Sequence, residues 1–278
     1  MKCYLFAFTI ICRVIETFSH HTGGDFARRG ARVVMTCRDM VKGEKVRQEI
    51  IQETGNNNLT VNFTDLASVR SCAKEILKEE DRIDILLNNA GAGGMGSKIT
   101  DDGLQILMQC NHFGPFLFTN ILLGEKSTPS RIVNVSSLAH DYARLDLGHL
   151  DQSTSSEIMV YSNSKLANVY FTIELANKLR GKGVTVNCLH PGAVQTEIMR
   201  NAPYYIRISL ELVLVFLLRA QTQIMLCVSK DVEHVTGEYF SDCKKQNLSA
   251  ISKDKKRAAK LWELSEISKL GGGGGGGG

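Results

Sequence analysis

Arg131-Ile132-Val133-Asn134-Val135 and Val184-Thr185-Val186-Asn187-Cys188-Leu189 bracket a long helical pattern from Ser156 to Arg180. Both flanking runs are largely apolar, as expected of strands covered on both faces. A strand, a crossover helix and a second strand read as one parallel βαβ unit. Outward from it the same alternation repeats. Ala31 to Thr36, Leu59 to Phe63 and Ile83 to Asn88 are further strands. Met40 to Thr54, Ala67 to Glu80, Thr100 to Leu123 and Lys253 to Lys269 are further helices. Such a series predicts an α/β fold: a single doubly wound parallel sheet flanked by helices.

The helix between the two quoted strands carries Tyr161-Ser162-Asn163-Ser164-Lys165. Tyr161 and Lys165 are one helical turn apart and leave the same face. An ammonium beside a phenol favours the phenolate and lowers a pKa that is ordinarily about 10. A phenol tuned in this way can exchange a proton with an alcohol oxygen near neutral pH. In doubly wound sheets, ligands bind outside the carboxyl ends of the strands.

Composition sets broad limits. Of 278 residues, Gly271 to Gly278 form an unbroken glycine run that buries nothing and reads as a linker, tag or placeholder. The hydrophobic fraction of 43% suits one globular domain, and a net charge of +4 is mild. The basic run Lys253 to Lys260 reads as a solvated helix face, so no nucleic-acid partner is expected. Eight cysteines are scattered without a CxxC pair or zinc spacing and read as reduced thiols; no metal is expected, His20-His21 having no nearby partner ligands. Asn58, Asn62, Asn134 and Asn247 begin chance glycosylation triplets. No run reaches the length of a membrane-spanning helix. Leu5 to Cys12 and Ile208 to Leu218 are apolar. Each is by default a core element, with membrane-surface contact as the alternative.

Seven segments in order resemble the short-chain dehydrogenase/reductase family and its retinol dehydrogenase-like branch. They are 27–39 (Ala-Arg-Arg-Gly-Ala-Arg-Val-Val-Met-Thr-Cys-Arg-Asp), 88–91 (Asn-Asn-Ala-Gly) and 111–116 (Asn-His-Phe-Gly-Pro-Phe). Next come 131–140 (Arg-Ile-Val-Asn-Val-Ser-Ser-Leu-Ala-His), 161–169 (Tyr-Ser-Asn-Ser-Lys-Leu-Ala-Asn-Val), 190–192 (His-Pro-Gly) and 237–243 (Gly-Glu-Tyr-Phe-Ser-Asp-Cys). The resemblance spans about Ala27 to Leu270 and implies a Rossmann-type fold. It also implies a catalytic set. Tyr161 is the general acid/base, Lys165 depresses its pKa and binds the nicotinamide ribose, Ser137 bonds the substrate oxygen, and Asn111 helps hold Lys165. Ser136 is the weaker serine candidate. The loop Leu138 to Ile158 would border the substrate pocket.

Asp65, Asn88, Ala90, Gly91, Gly192 and Thr196, with Tyr161 and Lys165, are the implied cofactor contacts. Arg38 follows the second strand, where an arginine accommodates a 2′-phosphate, so NADP is favoured over NAD despite Asp39. The implied substrate is a small lipophilic alcohol/carbonyl pair of the retinol/retinal kind. The implied location is the endoplasmic reticulum membrane, with the cytosol as alternative, and family analogy suggests a homodimer.

The chain departs from the family before Ala27. There the family carries Thr-Gly-x-x-x-Gly-x-Gly after its first strand, whereas this chain reads His20-His21-Thr22-Gly23-Gly24-Asp25-Phe26. Residues 1–26 are therefore an atypical segment ahead of a dehydrogenase domain at 27–270, and the first βα unit is atypical or truncated. Thr22-Gly23 is one candidate for the start of the glycine motif. Alternatively, Tyr4 to Cys12 serves as the first strand and Arg13 to Arg29 as an improvised helix, or the segment comes from a different first exon or a misassigned gene start. If the phosphate cradle is lost, a pseudoenzyme with an intact catalytic face competes with the oxidoreductase reading.

Overall fold

The computed structural model describes residues 9–13, 16–37, 39–63, 69–96, 98–124, 131–150, 155–191 and 220–270. Eight strands form one sheet: β1 (Thr9–Arg13), β2 (Arg32–Cys37), β3 (Leu59–Phe63), β4 (Ile85–Asn88), β5 (Arg131–Val135), β6 (Thr185–Leu189), β7 (Tyr239–Ser241) and β8 (Lys244–Gln246). Their order is β3-β2-β1-β4-β5-β6-β7-β8. All pairs are parallel except β7 with β8. The strand order reverses between β1 and β4, which is where a doubly wound sheet opens its ligand crevice.

Alternation along the strands divides the core between two faces. Val33, Met35, Leu87, Val133 and Leu189 pack with Phe26 and Ile50 on one side. Val34, Leu86, Ile132 and Val186 pack with Ile76, Phe116, Phe171 and Trp262 on the other. The helices that cover them are α1 (Glu16–Arg28), α2 (Met40–Thr54), α3 (Val69–Glu79), α4 (Ile106–Met108), α5 (Gly114–Gly124), α6 (Glu157–Lys178), α7 (Gln221–Val228) and α8 (Lys255–Leu270).

The first βα unit is atypical rather than truncated. β1 is a central strand, with Ile11 opposite Val34 on one side and Leu86 on the other. Thr9 to Cys12 of the apolar run Leu5 to Cys12 thus belongs to an interior strand, and residues 5–8 lie outside the described residues. Thr22 and Gly23 lie in the second half of α1, so they cannot form the turn after β1. A Cβ on Gly23 would stand 3.2 Å from Ile50 Cδ1, so this glycine serves the close packing of α1 on α2. Only residues 14 and 15, Val and Ile, separate β1 from α1.

One other expectation needs correction, and two elements are new. The helix expected from Thr100 begins at Ile106. Asp101-Asp102-Gly103 is turn chemistry, Gly103 has φ +73°, and Gln105 caps α4 by accepting from the Met108 amide at 3.3 Å. A π-helical turn, Gln109–Phe113, then leads into α5. The β7–β8 hairpin went unread because Asp242 and Cys243 hold φ of 51° and 58° without the glycine that normally marks such a turn. Among the described residues no helix is long and apolar enough to cross a membrane, and no cluster of residues suits a metal ion. No disulfide joins Cys37, Cys72, Cys110, Cys188, Cys227 or Cys243. Asn134 is buried in β5, out of reach of glycosylation.

The π turn also buries His112 among Phe113, Phe116 and Phe171. Its Nε2 lies 3.0 Å from Ser265 Oγ, whose own hydrogen goes to the Leu261 carbonyl at 2.8 Å. Nε2 must therefore carry the proton, and the ring is neutral. Burial pushes its pKa down from 6.5 to about 3. The unfolded chain binds the extra proton first, so stability is intact above pH 6.5 and falls as pH drops towards 3. The slope is about 1.4 kcal/mol per pH unit. His112→Gln keeps a donor at the Nε2 position without the titration. Chemical denaturation at pH 7 and pH 5 should show wild type losing about 2 kcal/mol more than the variant. Equal losses would contradict this.

Candidate active site

The carboxyl end of β5, the π turn Gln109–Phe113 and the first three turns of α6 bring the four catalytic candidates together. Ser156 starts α6 by accepting from the Met159 amide, and Tyr161 and Lys165, four residues apart, point to the same side. Lys165 Nζ lies 5.5 Å from the centre of the Tyr161 ring and donates to the Val135 carbonyl at 3.4 Å. Lys165 is 3% exposed. Its desolvation lowers the ammonium pKa from 10.5 to about 8.

Tyr161 does not behave as the spacing alone suggests. Burial raises its pKa above the usual value of 10, and a hydrogen bond with the Ser137 side chain opposes that shift without overcoming it. A dry setting penalises both charged forms, the phenolate and the ammonium, yet at about 8 the Lys165 ammonium still carries its proton at pH 7 beside an uncharged phenol. The phenol keeps its proton near pH 7, which is the state required of a proton donor.

The two serines after β5 have different tasks. Ser136 is buried, and its Oγ donates to the Lys165 carbonyl at 2.7 Å, tying the strand end to α6. Ser137 caps the short 3₁₀ turn Leu138–Tyr142, accepting from the Ala139 amide at 3.3 Å. Its hydroxyl hydrogen remains available to Tyr161 or to a substrate oxygen. Ser136 Oγ is thus committed to a backbone carbonyl, whereas Ser137 Oγ accepts from Ala139 N and bonds Tyr161.

Asn111 sits in the π turn, a local widening that re-aims side chains and is often found at functional sites. Its amide makes three bonds: it accepts from Ala92 N at 2.6 Å and donates to Ala92 O at 3.0 Å and Ser164 Oγ at 2.9 Å. Ser164 in turn donates to the Tyr161 carbonyl at 2.7 Å. Asn111 thus fastens the segment after β4 to α6, beside Lys165. Ser164 and Asn168, which also donates to Val135 O, were missed as supports. Ser164 was legible inside the Tyr-Ser-Asn-Ser-Lys segment, but its partner Asn111 lies 53 residues away in sequence.

The cofactor candidates separate into groups. A Cβ on Gly91 would lie 2.8 Å from Lys165 Nζ, so a side chain there would push the ammonium aside. Ala90 is half-buried on the same segment. Asn88 is turned inward. It donates to Thr119 Oγ1 at 3.0 Å and Asn134 Oδ1 at 2.8 Å, joining β4 to β5 and α5. Arg38, Asp65, Gly192 and Thr196 lie outside the described residues.

A family model described as short chain dehydrogenase matches residues 15–204. The chain belongs to the short-chain dehydrogenase family. Retinol dehydrogenase 14 of Mus musculus is 42% identical in an alignment 269 positions long that covers 88% of this chain and 80% of that protein. Dehydrogenase/reductase SDR family member 13 of Bos taurus is 40% identical over 265 residues, 90% of this chain and 69% of that protein. A crystal structure of a protein from Mycobacterium paratuberculosis superposes with a TM-score of 0.75 at 26% identity, over 97% of each chain. A short chain dehydrogenase from Shigella flexneri, solved with NADP, shares the fold at 21% identity and a TM-score of 0.65 over 86% of this chain and 98% of that one.

The fold of this dehydrogenase binds a nicotinamide cofactor, and its residues fit that group unevenly. Tyr161, Lys165 and the side-chain-free face of Gly91 converge in a way that would suit a nicotinamide ribose. The pyrophosphate end is poorer. In this fold the phosphates sit on glycine amides and the helix N-terminus. Here no glycine lies between β1 and α1, and Glu16 places an acidic residue at the first position of α1.

Proposed function

We propose that this chain is an NADP-dependent oxidoreductase interconverting a lipophilic alcohol and its aldehyde or ketone, of the retinol/retinal kind. The observation that carries the reading is the convergence of Tyr161, Lys165, Ser137 and Asn111 at one end of β4, β5 and α6. Relatives named retinol dehydrogenase support the substrate class, and Arg38 after β2 supports NADP.

A bound nicotinamide supplies or takes up the hydride. This chain's own residues manage the proton. Tyr161, kept protonated by its surroundings, donates its phenolic hydrogen to the carbonyl oxygen as that oxygen gains charge. The Ser137 hydroxyl bonds the same oxygen and fixes its position. Lys165, titrating at about 8, supplies a donor for the ribose and a positive field beside the forming phenolate. Asn111 and Ser164 hold the backbone on either side, so these groups need little reorganisation.

A second reading, a pseudoenzyme with an intact catalytic face, is favoured by the glycine-free connection after β1. In this proposal residues 1–26 replace the family's first strand and glycine loop. Titration with NADPH and NADH, followed by thermal shift, separates the two. Saturation at micromolar NADPH, with NADH weaker, is expected of the enzyme. No shift at millimolar NADPH would establish the pseudoenzyme.

A further inference from the structure

We infer that His140 is a positioning residue for Ser137 and that it acts through Nδ1. The inference rests on the proposed role of Ser137 in bonding the substrate oxygen.

His140 is 1% exposed although it lies in the turn after β5. Its Nδ1 is 2.6 Å from the Ser137 carbonyl oxygen, and its backbone amide donates to that same oxygen at 3.1 Å. A carbonyl offers no hydrogen, so Nδ1 is the donor and the tautomer is fixed. Nε2 faces Asp141 Oδ1 at 3.4 Å. Behind the ring, Tyr239 of β7 packs at 4.7 Å between centroids. The imidazole is therefore held by the buried Tyr239 ring behind it and by its Nδ1 donor on the Ser137 carbonyl.

Ser137 needs that support. Its backbone is extended, at φ −160° and ψ 157°, and it lies beyond the last residue of β5. The sheet ladder no longer orients its peptide plane there. Fastening the carbonyl from two sides fixes that plane, and with it the direction of the Cα–Cβ bond that carries Oγ. A displacement of about 1 Å at a reacting group can cost up to about 100-fold in rate.

Three substitutions separate the nitrogens. His140→Asn keeps an N–H where Nδ1 stood. His140→Gln moves the amide to the Nε2 position, and His140→Leu removes both. With NADPH and an aldehyde substrate, Leu and Gln should lower kcat about 10- to 100-fold with the NADPH KM unchanged, whereas Asn should stay within about threefold. In a Ser137→Ala background, His140→Leu should add almost nothing, because the group it positions is already gone. A crystal structure of His140→Leu needs no turnover and should show Ser137 Oγ displaced. An unmoved Oγ, an Asn variant as slow as Leu, or full additivity with Ser137→Ala would overturn the inference. Wild-type protein without turnover, together with a displaced Oγ, would count against the enzyme reading and leave the positioning role supported.

Discussion

A Tyr161→Phe variant should keep its fold and lose about 10²- to 10⁴-fold in kcat, the usual contribution of a positioned general acid. The fold should survive because burial keeps the phenol uncharged near pH 7, so only a neutral hydroxyl and its hydrogen bond with Ser137 are removed. That bond is worth about 1 kcal/mol. The NADPH dissociation constant should change far less than kcat, since the lost group acts on the reacting oxygen. Steady-state reduction kinetics and a thermal melt test both halves. A variant retaining more than about a tenth of wild-type kcat would remove Tyr161 from the proton-transfer step.

Lys165→Met should have the second large effect, with opposite signs for activity and stability. Lys165 is buried, and its ammonium titrates at about 8 instead of 10.5. Below pH 8 the folded protein holds a desolvated charge, a cost of about 3 kcal/mol by linkage. Between pH 8 and pH 10.5 the unfolded chain retains a proton that the folded chain has shed, so wild-type stability should rise across that window. Methionine, of similar length and without the charge, should stabilise the protein at pH 7 by up to about 3 kcal/mol. The advantage should disappear above about pH 10.5. The same change removes the ribose donor and the field beside Tyr161, so turnover should be lost. Urea denaturation at pH 7 and pH 10, set beside kinetics, checks both signs. A variant less stable than wild type at pH 7 would show that the Lys165 bond to Val135 outweighs its desolvation.

Much of the architecture was legible because its signals are local. Parallel strands covered on both faces read as apolar runs, and β3 and β5 begin and end where those runs do. The spacing of Tyr161 and Lys165 is a property of one helix, and α6 presents both on one side. The hairpin at Asp242 and Cys243 was hidden because its turn puts a cysteine, which rarely adopts positive φ, where a glycine would be the signal. Asn111 was identified by resemblance, but a periodic apolar pattern gives no sign of the π turn that aims it.

From sequence alone came the strand–helix alternation, the single domain and the shared face of Tyr161 and Lys165, all consequences of periodicities only a few residues long. Tertiary structure decided that Thr9 to Arg13 is the central strand, that Ser136 is tied up while Ser137 is available, and that Tyr161 holds its proton more tightly than a free phenol. Those facts depend on desolvation and on partners distant in sequence, as in the bond from Asn111 to Ser164. A helix can set the distance between a phenol and an ammonium. Only the packing around them sets how much water each has lost, and hence which of the two charges the site will bear.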